Sequence, residues 1–297
     1  MSIAPIALFT YNRLEHTHKT VEALQKNLLT KESDLFVFSD GPKNNSDGEK
    51  IETLRAYLRT IDGFKGVEIV ERSENNGLAK SIIIGVTEIV KRFGKVIVLE
   101  DDLVTSPYFL QYMNEALTFY ENESKVISIH GYNYPIDGIL PETFFLRGTD
   151  CWGWATWKRG WDLFEPDGKK LLAELESKRL IKQFDLDGAF NFSGMLKRQI
   201  AELNNSWAIR WHASAFLKEK LTLYPGKSLV DNIGQDKSGT HTSSGKIYKA
   251  NISENPITIG NIPIEENKEA RQTIIEYLHS RRHGIIEKIK NLFKKKS

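Results

Sequence analysis

The first hundred residues alternate short apolar runs with stretches whose apolar residues recur at helical spacing. Runs rich in β-branched residues predict buried strands, and the amphipathic stretches predict helices that cover them. Strict alternation of this kind implies βαβ units and an α/β fold with a mostly parallel sheet flanked by helices. We expect strands at 3–11, 35–38, 67–70 and 95–99, and helices at 15–26, 47–61 and 78–93.

The pattern changes character in the second half of the chain. A helix at 107–120, with Pro107 in its first turn, and a strand at 126–130 continue the alternation. Residues 144–165 are then dense in aromatic and small residues, and 171–217 is mainly helical. Because no internal repeat or low-complexity linker separates these parts, we expect one continuous domain with two functional halves, 1–131 and 132–265, followed by a tail at 266–297.

Composition narrows the class of protein. The 297 residues are 40% hydrophobic and 27% charged, as in soluble globular proteins. A net charge of +2 argues against nucleic acid as a partner. Cys151 is the sole cysteine, which excludes an intrachain disulfide framework and a Cys-based zinc site. Since 1–11 does not resemble a signal peptide and no apolar run approaches roughly 18 residues, we expect a cytoplasmic protein that does not span the membrane.

The tail predicts a basic amphipathic helix. Its apolar positions Ile285, Ile289, Leu292 and Phe293 fall on one helical face, with lysines flanking that face. Such a helix suits an anionic membrane surface and would make the protein peripheral on the inner face of the cell membrane. The alternative is a helix that packs on its own domain and ends in a frayed basic segment.

Three polar clusters directly follow predicted strands, at 10–13, 40–41 and 100–102. Ligands bind beyond the carboxyl ends of parallel strands, so these clusters are expected on one rim of the sheet. Glu100, Asp101 and Asp102 are the most informative, because consecutive carboxylates after a buried strand are costly unless a cation offsets them. They suit Mg²⁺ or Mn²⁺ carrying phosphate; the alternative is a solvated acidic turn.

Other rim residues are ordinary when taken singly. Asp40 precedes Gly41 and can accept an N–H from a flat base, although an Asp-Gly turn is the simpler interpretation. Lys80 lies in the first turn of a predicted helix, where its charge would favour a diphosphate. The chain has neither a Walker A loop nor a Gly-x-Gly-x-x-Gly turn, which argues against kinases, NTPases and nicotinamide enzymes.

Together these segments carry a family resemblance over roughly residues 3–245. The stretches 6–13, 39–40, 76–77 and 98–103 resemble the nucleotide-sugar-binding half of a GT-A glycosyltransferase. The Glu-Asp-Asp form and the helix after it are most similar to the N-acetylglucosaminyltransferase I type and to bacterial family 2-like sugar transferases. The distal block from Ser206 to His241 is similar to bacterial members of the same kind.

The resemblance implies roles for individual residues. Arg13 and Asp40 would contact uracil, Glu100 and Asp101 would face the nucleoside and the donor sugar, and Asp102 would bind Mn²⁺ or Mg²⁺ bridging the diphosphate. The loop at 233–241 resembles a segment that orders over the donor, with His241 as a second metal ligand or phosphate contact. The remaining residues assigned to the nucleotide-sugar are Thr10, Asn12, Asn76, Lys80 and Gly234.

The distal half would hold the acceptor. Trp152, Trp154, Trp207 and Trp211 offer flat faces for sugar rings, although buried tryptophans would give the same spacing. In the N-acetylglucosaminyltransferase I pattern the base is an Asp between two tryptophans, whereas this chain has Trp207-Ala-Ile-Arg-Trp211. Asp150 is therefore our first choice for the catalytic base, followed by Asp187 and Glu202.

The resemblance predicts a metal-dependent hexosyl- or N-acetylhexosaminyltransferase. It would move a sugar from a UDP-linked donor to a glycan or lipid-linked acceptor, with inversion, in bacterial glycoconjugate or polysaccharide synthesis. Two alternatives stay open: a sugar nucleotidyltransferase, and a non-catalytic carbohydrate-binding protein on a degenerate GT-A fold. Retention of configuration is also open, as are the donor sugar and the linkage.

Overall fold

The computed structural model describes residues 2–136, 138–236 and 248–294, with side chains described as far as Arg281. A large sheet occupies the centre of this part of the chain. Its strands are β1 (Ile6–Thr10), β2 (Asp34–Ser39), β3 (Gly66–Glu71), β4 (Lys95–Glu100), β6 (Val126–His130), β7 (Thr143–Arg147), β8 (Trp154–Trp157) and β9 (Leu221–Pro225). A small second sheet pairs β5 (Leu103–Thr105) with β10 (Val230–Asn232).

The large sheet has the order β3-β2-β1-β4-β8-β6-β9-β7. β1 to β4 pair in parallel with one another, and β6 and β9 run in the same direction. β8 and β7 run antiparallel to their neighbours. The predicted α/β fold with a mostly parallel sheet is confirmed. Since β8, from the second predicted half, lies between β4 and β6, from the first, strands from both predicted halves of the chain share one sheet.

Helices pack against both faces of this sheet. Those of the first half follow the predicted alternation: α1 (Leu14–Gln25), α2 (Gly48–Leu58), α3 (Gly77–Phe93) and α4 (Phe109–Phe119). The helical region of the second half is α5 (Lys158–Trp161), α6 (Gly168–Ser177), α7 (Ile181–Phe184), α8 (Phe192–Ile200), α9 (Trp207–Leu217) and α10 (Lys268–Lys294). Pro107 lies just before α4 rather than within its first turn.

Burial explains why the first strands form. All residues of β1 are buried, and β4 is buried from Lys95 to Leu99. On one face the sheet packs against α1 and α4, and on the other against α3 and a cluster of tryptophans. Side chains buried on both faces are typical of the central strands of a parallel sheet. This core fixes the carboxyl ends of β1, β2 and β4 side by side.

The first part of α10 packs on the edge of the sheet. Ala270, Ile274 and Leu278 are buried in a cluster that includes Phe144 of β7 and Tyr224 of β9. The helix is anchored at its start, because the backbone N–H of Asn267 donates to the carbonyl of Phe145 at 2.9 Å. Among the described residues, no helix combines the length and the apolar character needed to cross a bilayer.

Candidate functional site

The site lies at the carboxyl ends of the parallel strands. Thr10 ends β1, Ser39 ends β2, Glu100 ends β4 and His130 ends β6. β8 runs antiparallel, so the segment that leads into it reaches the same rim: Trp154 pairs with Val98 and with His130. This geometry gathers the three predicted polar clusters and the segment around Asp150 along one edge of the sheet.

Arg13 compensates part of the acidic triplet. It caps the start of α1, and its guanidinium pairs with both Asp101 and Asp102; the Nη2 atom lies 2.8 Å from Asp102 Oδ2. Nε donates a second hydrogen bond to Asp101, at 3.3 Å. The Thr20 hydroxyl donates to the carbonyl of Asp101 at 2.9 Å. Arg13 is thus held by carboxylates, and its Nη1 atom has no hydrogen-bond partner within the described residues.

The triplet carries more negative charge than Arg13 can balance. Burial raises the pKa of Glu100 to about 8, and repulsion from Asp102 and Asp101 adds to this effect while Arg13 opposes it. Burial also raises the pKa of Asp101 to about 6 against the attraction of Arg13. Within the described residues, one guanidinium therefore faces three acidic side chains, and this part of the site is short of positive charge.

This shortage fits a divalent cation. Mg²⁺ and Mn²⁺ prefer carboxylate oxygen and usually keep water or phosphate oxygens in their shells. The described residues contain no group of three or more His, Cys, Asp or Glu side chains arranged to hold a metal ion. The described residues alone therefore offer few ligands, and an ion at Asp102 would draw further oxygens from a bound phosphate or from water.

The segment after β10 covers Asp102. The backbone N–H of Ile233 donates to the carbonyl of Asp102 at 2.9 Å, and a side chain at Gly234 would come within 2.0 Å of Asp102 Oδ2. Asp236 pairs with His16 of α1 at 3.1 Å. Gly234, predicted to face the donor sugar, therefore contacts Asp102 and Arg13. His241 lies outside the described residues.

Asp40 caps a helix in this structure. Its carboxylate accepts the backbone N–H of Asn76 at 2.9 Å and that of Gly77, at the start of α3, at 2.8 Å. These bonds leave lone pairs of the carboxylate unused, so Asp40 can still accept a hydrogen bond from a nucleobase. The contact with uracil stays a prediction. Lys80 is exposed on the first turn of α3, as expected.

Asp47 holds the segment that follows β1 in place. It accepts hydrogen bonds from the Tyr11 hydroxyl at 2.7 Å and from the Asn12 amide at 3.1 Å. Burial and the Asp47 hydrogen bond raise the pKa of Tyr11 to about 12. Thr10 ends β1 with its carbonyl bonded to the N–H of Asp40 at 3.1 Å. Tyr11 and Asp47 were not among the predicted residues, although Tyr11 stands between Thr10 and Asn12 in the first polar cluster.

Asp150 is a partly exposed carboxylate on the same rim. One oxygen accepts the backbone N–H of Cys151 at 2.8 Å, and the other lies 3.6 Å from Nε2 of His130. Its side chain is 33% exposed, which leaves it accessible to a substrate hydroxyl. Burial raises the pKa of the Cys151 thiol, and the charges of Asp150, Glu100 and Asp102 add to that rise. The Cys151 thiol is therefore close enough to both Asp150 and the acidic triplet to be affected by their charges.

The two alternative bases lie elsewhere. Asp187 pairs with Arg271 of α10 at 2.6 Å, and Glu202 is exposed after the end of α8. Among the residues that the structure describes, neither contacts the rim. Their positions favour Asp150 over both.

Most of the predicted sugar-binding tryptophans belong to the core. Trp154 and Trp211 are fully buried, and Trp207 is 3% exposed. Their rings pack on one another and on Trp161, with centroids 5.2–6.2 Å apart. A fully buried ring has no face left for carbohydrate, so the prediction is wrong for Trp154, Trp207 and Trp211 in this conformation. Trp152 remains, partly exposed and edge-on to Tyr132 at 4.7 Å.

A sequence profile of glycosyl transferase family 2 matches residues 6–172, which is more than half of the chain. The chain belongs to this family, and its α/β fold is of the GT-A kind. No curated protein sequence matches it.

The solved structures that match this chain are distant from it in sequence. A mannosyltransferase, PcManGT from Pyrobaculum calidifontis in complex with GDP-Man and Mn²⁺, is 11% identical over 45% of this chain and 36% of its own, with a TM-score of 0.33. S. aureus TarS 1-349 is 10% identical over 76% and 59% of the two chains, with a TM-score of 0.41. A second S. aureus TarS structure is 13% identical over 50% and 25%, with a TM-score of 0.31. The chain thus spans less than two thirds of the length of each matched structure.

Proposed function

We propose that this family 2 glycosyltransferase is metal-dependent and inverting, and that it transfers a hexosyl or N-acetylhexosaminyl group from a UDP-linked donor. The acceptor would be a hydroxyl of a glycan or of a lipid-linked sugar in bacterial glycoconjugate or polysaccharide synthesis. One observation carries the proposal: in the described part of the chain, three acidic side chains with a single compensating guanidinium share a rim with Asp150, which is partly exposed.

The donor would lie along the ends of β1, β2 and β4. Asp102 would hold Mn²⁺ or Mg²⁺, and Arg13 would keep Asp101 and Asp102 oriented. When bound, the ion supplies positive charge that stabilises the departing diphosphate. Nη1 of Arg13, which is buried and has no hydrogen-bond partner among the described residues, would donate to a phosphate or carbonyl oxygen of the nucleotide. Asp40, Asn12 and Asn76 would surround the nucleobase of the donor.

Asp150 would act as the general base. In the proposed step the acceptor oxygen bonds to the anomeric carbon while Asp150 takes its proton and the bond from that carbon to the diphosphate oxygen breaks. The products are the glycosylated acceptor and the free nucleoside diphosphate. Trp152, two residues from Asp150, is the proposed contact for the acceptor sugar.

The proposed setting is the cytoplasmic side of the membrane. A lone Cys151 suits a reducing compartment, and the basic end of α10 would bring the site to a lipid-linked acceptor. No nucleic-acid partner is proposed.

A thermal-shift screen tests the donor. We expect UDP-sugars to raise the melting temperature in the presence of Mn²⁺ and much less without it, because binding to the folded state stabilises it. GDP-mannose, the nucleotide-sugar in the Pyrobaculum structure, is the matched alternative. Stabilisation by GDP-mannose alone would reassign the nucleotide. Binding without turnover on water or on any acceptor would favour the non-catalytic carbohydrate-binding alternative.

Asp102→Asn tests the metal site. It keeps the shape of the side chain but removes the charge, so we expect calorimetric affinity for UDP with Mn²⁺ to fall roughly 10- to 100-fold, as for disturbed metal sites. Asp162→Asn is the control, since Asp162 is exposed and pairs with Lys158 of α5. Unchanged affinity in Asp102→Asn would remove Asp102 from the site.

A further inference from the structure

His130 is buried beside the proposed base with its ring nitrogens unused. It ends β6, its side chain is fully buried, and neither Nδ1 nor Nε2 has a hydrogen-bond partner within the described residues. Buried polar side chains are normally hydrogen-bonded, so an exception calls for a physical reason. The nearest charged oxygen is Oδ2 of Asp150, 3.6 Å from Nε2.

The surroundings of His130 determine where its proton lies. Aromatic rings flank it, Tyr224 from β9 at 5.0 Å and Tyr132 from the segment after β6 at 6.3 Å between centroids. Asp150, from the segment before β8, is the charged group that acts on it. A lone pair on Nε2 would face the carboxylate and repel it, whereas an N–H there is attracted. The Nε2–H tautomer is therefore favoured.

We propose that His130 is a positioning residue for Asp150: its neutral ring keeps a proton on Nε2, and this N–H donates a hydrogen bond to Oδ2 of Asp150 as the acceptor binds. The inference rests on the proposed role of Asp150 as base. With Cys151 N–H on Oδ1 and His130 on Oδ2, both oxygens would be fixed, and the remaining lone pairs would face the acceptor hydroxyl. Hydrogen bonds of catalytic groups are often long without substrate and tighten in the complex.

A neutral ring suits this task better than a charged one. An imidazolium would form a stronger ion pair and would lower the basicity of Asp150, which has to accept a proton. Burial lowers the pKa of His130 and outweighs the opposing attraction of Asp150. The lowered pKa of His130 therefore favours the neutral ring at pH 7.5.

The tautomer is a direct test that requires no substrate. Long-range ¹H–¹⁵N spectra of the ¹⁵N-labelled full chain report which ring nitrogen carries the proton, and the His130→Gln variant identifies the signal. At pH 7.5 we expect a neutral ring protonated on Nε2, and a shift of its nitrogen signals in Asp150→Asn. A proton on Nδ1, a charged ring, or no response to Asp150→Asn overturns the proposal.

Two substitutions separate positioning from packing. His130→Gln can keep an N–H near the position of Nε2, whereas His130→Phe keeps a flat ring without a donor. The assay measures UDP release with Mn²⁺ and UDP-N-acetylglucosamine or UDP-glucose. We expect the rate of His130→Gln to stay within about threefold of the parent. For His130→Phe we expect kcat to fall by about tenfold or more, with an unchanged donor KM. Because the carboxylate loses a hydrogen-bond donor, the acid limb of the kcat profile should move to higher pH in His130→Phe.

The outcomes distinguish the two proposals. If Asp150→Asn keeps its turnover, the assignment of Asp150 as base fails. If Asp150→Asn is inactive but His130→Phe has the parent kcat and pH profile, the role of His130 fails and that of Asp150 stands. Equal losses in His130→Gln and His130→Phe with an unmoved acid limb indicate a packing role and also overturn the inference.

Discussion

At the scale of single residues, Arg13 compensates part of the negative charge of the acidic triplet. Its guanidinium contacts Asp101, which is 4% exposed, and Asp102, both in the turn after β4. A buried ion pair adds little net stability compared with an apolar pair, but removing one partner leaves the other charge buried and uncompensated. Removing Arg13 alone should therefore lower the free energy of unfolding, although burying the ion pair also has a desolvation cost.

Arg13→Met should strongly destabilise the fold. Methionine keeps an unbranched side chain but leaves the carboxylates of Asp101 and Asp102 without their cation, so we expect the free energy of unfolding to fall by about 3 kcal/mol. Urea denaturation at pH 7.5 measures it. Arg92→Met is the control: Arg92 pairs with Glu68 and Glu88 on the surface, and its replacement should lower the free energy of unfolding far less. Equal losses in the two variants would contradict the assigned role of Arg13.

Single residues also show how far the sequence predicts the site. Arg13, Asp40 and Glu100–Asp102 were placed on one rim because each follows a strand, and the structure brings them there. Trp154 and Trp211 were misassigned, because spacing alone does not distinguish a ring that stacks on sugar from one that fills a core. His130 was missed although it ends a correctly predicted strand, since a single histidine in an apolar run gives no sign of the carboxylate beside it.

At the scale of elements, the position of Asp40 depends on the close approach of two loops. Gly41, after β2, lies against the backbone of Glu74, in the segment before α3: a Cβ at position 41 would come within 2.5 Å of the Glu74 carbonyl carbon. The Asn75 amide donates to the carbonyl of Gly41 at 2.8 Å. These contacts hold Asp40 over the start of α3.

Gly41→Ala should separate these loops. The new methyl group meets backbone that cannot rotate away, and we expect a loss of about 1–3 kcal/mol in the free energy of unfolding, as for overpacking, together with weaker nucleotide binding. Urea denaturation and calorimetry with UDP measure the two effects. Gly48→Ala is the matched control: a Cβ there meets nothing within 4 Å at the start of α2, so stability should not fall. A harmless Gly41→Ala would mean that the loops can part freely.

Elements differ in how well the sequence reveals them. The strand at Val126–His130 was predicted to the residue, and β1 to β4 within a few residues, because their apolar runs are bounded by polar turns. β7 and β8 were not assigned, since the aromatic and glycine-rich stretch that contains them has no clear period of two. β5 and β10 are three residues each and depend on pairing across more than a hundred positions.

At the scale of the whole molecule, stability should depend on pH through buried histidines. His212 of α9 packs on the rings of Phe184 and Phe192, and burial lowers its pKa against the opposing effects of Thr149, Asp150 and Asp185. The unfolded chain therefore binds this proton more readily than the folded one. The contribution of His212 is full above its ordinary pKa of about 6.5 and is lost as the pH falls below it.

His212→Asn should reduce this loss. An asparagine amide can replace the contact of Nδ1 with the carbonyl of Thr149, 2.7 Å away, without taking up a proton. Between pH 7.5 and pH 5.0 we expect the variant to lose about 1 kcal/mol less than the parent, in urea denaturation at the two pH values. His18→Asn is the control, because His18 is half exposed and its variant should follow the parent. Parallel pH dependences of His212→Asn and the parent would contradict the assignment.

The end of α10 is the proposed contact with the membrane. The residues that this helix buries against the sheet edge, Ala270 to Leu278, all precede Arg281, after which its side chains are not described. Ile285, Ile289 and Phe293 follow, among lysines. Truncation after Arg282 should therefore abolish flotation with vesicles that contain phosphatidylglycerol, because it removes both apolar anchors and basic charge, while the melting temperature stays that of the parent. Vesicles of phosphatidylcholine alone are the control, since without anionic lipid the full chain should bind them weakly. Undiminished flotation of the truncated chain would remove the membrane role, and a lower melting temperature would instead favour packing of the tail on its own domain.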